Sequence, residues 1–412
     1  MRVSRTFSII ALGALLFLAA CGGTNQPPDD SGPYQLSQKL MASDGAVDDH
    51  FGFVESIAVQ GDQLIVGAHN RNGRTGRAYV YELQGTAWTE VQTLLPAEVE
   101  EDDGFGHAVA MTGDYAFIAA MRTEVEGHSM AGVVYVFQRV AGTWTQVDIL
   151  QAPDPTQGAS FGWAIDTSGD RVLIGTNASG DQHGSAYFFH LEDGAWVLRG
   201  SAYASDPTIN AFFGHAVAIQ GDMAIIGAYL NGTSGLQSGA AYVFEFDGEN
   251  WTQTDRLAPH EPESNDWFGE SIAIFGEYAI IGSPNDKVAG EFRGSAAVFR
   301  LQGGTWTLVD TLVPSDGRSN DRFGSEVSMN GDYAVISNSP LHATAAWSAA
   351  YVFERSGTTW TQVDRLAPGS DPNDGLGFSS LINDDWLMLG APFDNERAAR
   401  AGAVYIYARN DE

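Results

Sequence analysis

The chain has 412 residues, with 52 acidic against 21 basic side chains, a formal charge of −31 and a pI near 4.4; this excludes a surface evolved to grip phosphate backbones, and with it a nucleic-acid partner. Apolar residues make up 44% and glycine fills 48 positions, enough for a large core joined by many tight turns, so disorder and a collagen-like chain are excluded too. Lysine occurs only at Lys39 and Lys287 and cysteine only at Cys21, so neither an intramolecular disulfide nor a cysteine-based zinc site can form.

At the N-terminus Arg2 and Arg5 precede an apolar run from Phe7 to Ala20, which at fourteen residues is too short to span a bilayer. The run ends in Leu18-Ala19-Ala20-Cys21, which resembles the lipobox of bacterial lipoproteins. The resemblance implies a signal peptide over residues 1–20, cleavage before Cys21 and a diacylglycerol on its thiol, with Gly22 favouring outer-membrane sorting. Removal of both N-terminal arginines leaves 19 basic residues against 52 acidic, a mature charge of −33. The expected location is the bacterial cell envelope, facing the periplasm or the surface, with the membrane reached only through the lipid. Residues 21–33 are polar and rich in Pro and Gly, as a flexible tether is.

Residues 34–412 read as one domain built on a sevenfold repeat. Each copy has an FG pair, a short alternating run, a tight turn, a run ending in IIGA or similar, a variable loop, a GxAYVF run and a GxxWT run. The pairs are Phe105-Gly106, Phe161-Gly162, Phe213-Gly214, Phe268-Gly269 and Phe323-Gly324, with Leu376-Gly377 in the last copy, at spacings of 56, 52, 55, 55 and 53 residues. In the first copy the literal pair is Phe51-Gly52, but counting back eight residues from the turn glycine Gly61 reaches Phe53-Val54, so a two-residue bulge is expected there. The β-branched and aromatic runs between turn residues predict four short strands per copy. Gly61-Asp62 and its equivalents, ending with Asp384-Asp385, read as a hairpin code rather than as a site. Trp88, Trp144, Trp196, Trp251, Trp306 and Trp360 open the fourth strands and read as core wedges.

Seven first strands are followed by only six tryptophan strands, and YQLSQKL at Tyr34–Leu40 aligns with WTQVDRL at Trp360–Leu366. The N-terminal strand is therefore expected to close the ring as the outer strand of the last blade. The predicted fold is all-β, a seven-bladed β-propeller of four-stranded antiparallel blades, which leaves only short, protected edges. The FG pairs, the endings Ile225–Ala228, Ile281–Pro284 and Leu389–Pro392, and the GxAYVF runs resemble FG-GAP repeats, the units of the integrin α-subunit propeller and of many bacterial surface proteins. Calcium-binding repeats of that family carry a long DxDxDG-like loop between the FG and GAP strands. Here that connection is a two-residue turn, too poor in oxygen ligands for calcium, so no cofactor is expected and a divalent cation has no support.

The loops joining strands one to two and three to four are short and repetitive, whereas those joining two to three and four to one differ from blade to blade. Variable loops on a rigid scaffold are where binding is expected, which singles out His69, Tyr229, Phe292 and Trp347. The acids before the FG slots (Asp48, Asp49, the Glu98–Asp103 stretch, Asp266, Asp321 and Asp374) could offer a cationic-partner surface; bonds to local backbone amides in the turn are the preferred reading. The residues after the FG slots begin the innermost strands at the channel mouth: Glu55, His107, Trp163, His215, Glu270, Ser325 and Phe378. Two His, two Glu and a stacking Trp163 could hold a metal or a polar ligand, against the plainer reading of inter-blade packing.

No HExxH, P-loop or GxGxxG motif is present. The function expected is therefore a noncatalytic, lipid-anchored envelope protein, monomeric, that displays variable loops on one propeller face to bind protein or glycan. One alternative is a secreted metal-dependent hydrolase or lyase using His107, His215, Glu55 and Glu270. Another is a structural partner in envelope assembly.

Overall fold

A computed structural model describes residues 32–177, 183–259, 261–338, 348–367, 371 and 373–410, so Cys21 and Trp347 lie outside the described residues. The chain forms seven four-stranded antiparallel blades, each ordered simply along the sequence except the last. Blade 1 runs through Ile57–Gln60, Gln63–Gly67, Ala78–Gln84 and Ala87–Leu94, and blades 2 to 6 repeat the pattern as far as Leu366. In blade 7 the strands Ser380–Ile382, Trp386–Ala391 and Ala403–Arg409 are completed by Tyr34–Leu40, which pairs antiparallel with the third strand from Tyr34↔Arg409 to Leu40↔Val404. The N-terminal strand thus closes the ring. First strands of successive blades lie side by side around the axis, and the seventh meets the first.

The hairpins between first and second strands turn on a glycine at positive φ, from 54° at Gly113 to 96° at Gly331, a conformation that costs glycine little. The seventh hairpin has no glycine. There the Asn383 side chain accepts from the Asp385 and Trp386 amides at 2.9 and 2.8 Å, doing with a side chain what the others do with the backbone.

The hydrophobic core divides into seven clusters, one at each blade-to-blade interface, including the closure interface where Leu40, Met388 and Ile406 meet Phe51, Leu64 and Trp88. Each FG phenylalanine is fully buried and packs against aromatic residues of its own third strand, as Phe105 does edge-on against Tyr135 at 5.5 Å and Phe137 at 6.2 Å. In five of the seven blades the glycine of the pair bonds the GAP glycine of its own blade, Gly52 N to Gly67 O at 3.1 Å for example. Meanwhile the GAP glycine faces the next blade so closely that a Cβ on Gly67 would collide with the Gly106 carbonyl, and the same holds for Gly175 with Gly214 and Gly282 with Gly324. The motif is the record of two backbones in contact.

Phe51 is fully buried and bridges to Gly402 as Phe105, Phe213, Phe268 and Phe323 bridge to Gly76, Gly184, Gly239 and Gly294. Phe51-Gly52 therefore fills the first FG slot, and the two extra residues of that copy follow it. The outer-strand tryptophans wedge into the preceding blade: Trp88 meets Trp386 at 5.9 Å, Trp196 meets Phe117 at 4.8 Å and Trp251 stacks on Phe188 at 4.0 Å. Glutamine side chains clamp neighbouring outer strands. Gln92 exchanges two bonds with the Trp144 backbone, and Gln38 repeats this with Trp88 across the closure.

Candidate functional site

The loops joining strands two to three and four to one gather on one face, and two positions per blade bring side chains from them to the mouth of the axial channel. The first is the residue before each FG slot: His50, Gly104, Ser160, Phe212, Trp267, Arg322 and Gly375, all with φ between 53° and 74°. Left-handed backbone is uncommon for any residue but glycine and an outlier for bulky ones. Two positions earlier in each loop the left-handed residues that occur are Asp48, Asp102, Gly158, Asn210, Asn265 and Asn320, which are types that tolerate it. The contrast marks His50, Phe212, Trp267 and Arg322 as side chains held at the mouth against a conformational cost.

The second position follows the FG slot. Because the insertion in the first copy comes after Phe51-Gly52, Phe53 joins this ring, while Glu55 (φ 57°) is the residue whose carboxylate is placed among Asp166 and Glu326 in the channel. From Phe393 of blade 7 an unbroken sequence of nine rings runs around the mouth through Phe378, Phe53, His69, His107, Trp163, His215 and Tyr229 to Trp267, with centroids 4.4 to 6.2 Å apart. Arg322 of blade 6 caps it, 4.9 Å over the Trp267 ring and 3.5 Å from Glu270. Five expected binding residues, His69, His107, Trp163, His215 and Tyr229, are thereby brought into one arc, with Glu270 at its end. Phe292 stands apart, 38% exposed on a small hairpin of blade 5 beneath the Lys287 ammonium.

His215 and Glu270 form the polar end of the arc. His215 Nδ1 lies 3.2 Å from Asn177 Oδ1, and its Nε2 faces Glu270 Oε2 at 3.9 Å, too far for a hydrogen bond. Burial pushes the His215 imidazole down to about 3, helped by His107 and Arg322, and pushes His107 down to about 4. His69 lies well below the usual imidazole range, through burial and then through His107, His50 and the nearby arginines. These rings are therefore neutral near pH 7, ready to donate and accept single hydrogen bonds rather than to act as cations.

Below the mouth, burial raises the carboxyls. Glu270 rises to about 7 in spite of Arg322, and Asp166 rises to about 6 although the Ile219 and Thr167 amides bond it. Glu55 and Glu326 are raised by burial and by neighbouring carboxylates, Asp166 for the first and Glu55 for the second. Trp163 stands between His107 and His215, and among the described residues no three His, Asp or Glu side chains converge as a metal-ligand set.

The acids before the FG slots are turn groups. Asp49, Asp103, Asp266 and Asp321 are buried and accept from the amide three residues earlier at 2.5 to 2.8 Å. Asp374 is buried beside Asp394, and burial followed by that charge raises it to about 7.

Two cavities lie on this face around blade 1. One, of about 800 Å³, is a polar hollow over Asp44, Asp49, Arg71 and Arg77, whose charges pair with one another (Arg71 with Asp49 at 2.5 Å, Arg77 with Asp44 at 2.8 Å). The other, of about 390 Å³, opens at the start of the aromatic arc between blades 7, 1 and 2 and includes His50, Phe53, His69, Phe378 and Phe393.

The sequence matches the family model described as FG-GAP repeat over residues 34–81, 88–137, 144–189, 196–244, 251–299 and 306–353. Comparison with curated proteins finds no significant match. Among solved structures, a protein from Lactobacillus plantarum is similar at 15% identity and a TM-score of 0.53, over 77% of this chain and 86% of that one. A protein from Bacteroides fragilis named as a putative 6-phosphogluconolactonase is similar at 12% identity and a TM-score of 0.50, over 74% of this chain and 82% of that one. At these identities the likeness is one of fold.

Proposed function

From the premise that this chain belongs to the FG-GAP repeat family, we propose that it is a lipid-anchored binding module of the cell envelope whose loop face takes a protein or glycan ligand without chemical turnover. A ring of such repeats fits a binding or scaffold role. The observation that carries the reading is the run of aromatic and imidazole rings around the mouth, with His50, Phe212 and Trp267 held there in left-handed backbone. Aromatic anchors with neutral hydrogen-bonding groups beside them are the usual makings of a recognition surface. A metal-dependent hydrolase or lyase would need a converging ligand set, and among the described residues there is none.

The lipobox resemblance at Cys21 supports the anchor, and radiolabelled palmitate incorporation lost in Cys21→Ser tests it. Binding is tested by screening the purified chain on arrays of envelope glycans and by cross-linking on whole cells. Trp163→Ala with Trp267→Ala should weaken retention of any captured ligand at least tenfold. Val140→Thr, on the opposite face, should leave it unchanged. Equal retention by the mouth variants and the parent would refute the reading.

A further inference from the structure

We propose that the cavity between blades 7, 1 and 2 binds a sugar ring bearing a carboxylate, a hexuronate at a chain end or within an acidic polysaccharide. The inference rests on the loop-face reading above and names the ligand class for one site on it. Its volume of about 390 Å³ falls in the range of about 300–1,000 Å³ usual for small-molecule sites.

The charge of its wall runs against the charge of the molecule. On a chain with 52 acids and 21 bases the lining holds two guanidinium groups, Arg74 and Arg122, and no carboxylate. Arg74 already pairs with Asp102 at 3.1 Å. Arg122 is half-buried and has no ion pair among the described residues. A guanidinium without a counter-ion attracts an anion, and its planar fork fits a carboxylate through paired hydrogen bonds.

The rest of the wall separates a sugar from a plain aromatic acid. Phe53, Phe378 and Phe393 provide ring faces, with Phe53 tilted against Phe378 at 5.7 Å. His50 and His69 line the cavity and make no side-chain hydrogen bond to any described residue. Their imidazoles are held neutral, burial being the main cause for each. An apolar platform, two neutral hydrogen-bonding rings and one unpaired guanidinium complement a ligand with a C–H face, hydroxyl edges and a single carboxylate.

The test uses the full chain in detergent micelles, titrated calorimetrically with galacturonate and glucuronate oligomers, with the matching neutral hexose oligomers, and with benzoate. The hexuronates should bind, and the neutral oligomers should bind at least tenfold more weakly. Arg122→Gln, which keeps the stem and loses the charge, should cost tenfold or more for hexuronates and nothing for neutral sugars, with an unchanged melting temperature. Phe378→Leu is the second variant and should weaken every sugar. Neutral sugars binding as well as acidic ones, with Arg122→Gln silent, would overturn the carboxylate assignment and leave the loop-face reading standing. Benzoate binding as tightly as the hexuronates would overturn the sugar assignment. If no saccharide binds, the inference falls, and cell cross-linking alone decides the broader reading.

Discussion

The seven interfaces between blades and the mouth they surround are made from the same repeat and obey opposite rules. At the interfaces one solution recurs: a buried FG phenylalanine, two glycine backbones in contact, an outer-strand tryptophan wedged into the preceding blade. At the mouth, one or two residues away, the side chains differ from blade to blade and several sit in backbone that their residue type disfavours. Packing constrains the first set because the space is closed on all sides. Nothing in packing asks for tryptophan at φ 61° in blade 5 where blade 2 has glycine. The difference separates what holds the ring together from what the ring presents.

The comparison breaks most visibly when an interface residue is cut. Phe105→Ala removes a fully buried ring between blades 1 and 2 and should cost about 3–5 kcal/mol, read from the denaturant midpoint at constant slope. Trp163→Ala at the mouth should cost far less in the same assay.

The N-terminal strand is also tied into blade 7 by charge. Lys39 holds Asp394 and Glu396, each at 2.7 Å, and Tyr405 donates to Asp394 at 3.1 Å. In blades 4 and 6 an arginine and a tyrosine of the outer strands share a carboxylate from the loop entering the blade: Arg256 and Tyr242 on Asp206, Arg365 and Tyr351 on Asp316. Asp394 is buried, so Lys39→Met should cost roughly 2 kcal/mol, below the about 3–5 kcal/mol of a fully buried pair because the lysine is partly exposed. Lys39→Arg should recover most of it.

A smaller effect separates the buried carboxyls from the buried imidazoles through pH. Glu270, raised from an ordinary 4.5 to about 7, contributes stability that is complete below 4.5 and is lost as pH rises through 7; Glu55, Asp166 and Glu326 share the direction. The histidines have the opposite sign. His107, lowered from 6.5 to about 4, contributes stability present above 6.5 and lost as pH falls through 4. Above pH 6.5 only the carboxylates act, so melting temperature should fall between pH 6.5 and 8. Glu326→Gln should raise the melting temperature at pH 8 and leave it unchanged at pH 4.5.

Much of the ring was legible in the sequence because its devices recur. Seven copies of FG, turn and GxAYVF define the blades, and the alignment of Tyr34–Leu40 with Trp360–Leu366 places the closing strand. The insertion in the first copy could be counted, but only the burial of Phe51 and its bridge to Gly402 show on which side of it the slot falls. His69 and Tyr229 stood out on variable loops and reach the mouth. His50, Phe212, Trp267 and Arg322 did not stand out, since none is a residue type that announces left-handed backbone; a single varied position just before a repeated FG was the available signal. Arg122 was unreadable for a different reason. Its interest lies in lacking a partner, and that depends on residues from three blades meeting in space.

If the mouth is held for binding at a cost to the fold, the combined variant His50→Gly, Phe212→Gly and Trp267→Gly should lose the ligand and keep the fold. Glycine relieves the left-handed backbone at each position while removing the ring. Melting temperature and retention of hexuronate oligomers and arrayed glycans would be measured on the same sample. The expected result is a melting temperature within a few degrees of the parent and loss of retention by tenfold or more. A large fall in melting temperature with retention intact in the surviving folded protein would contradict it, making these side chains part of the packing rather than the surface the propeller presents.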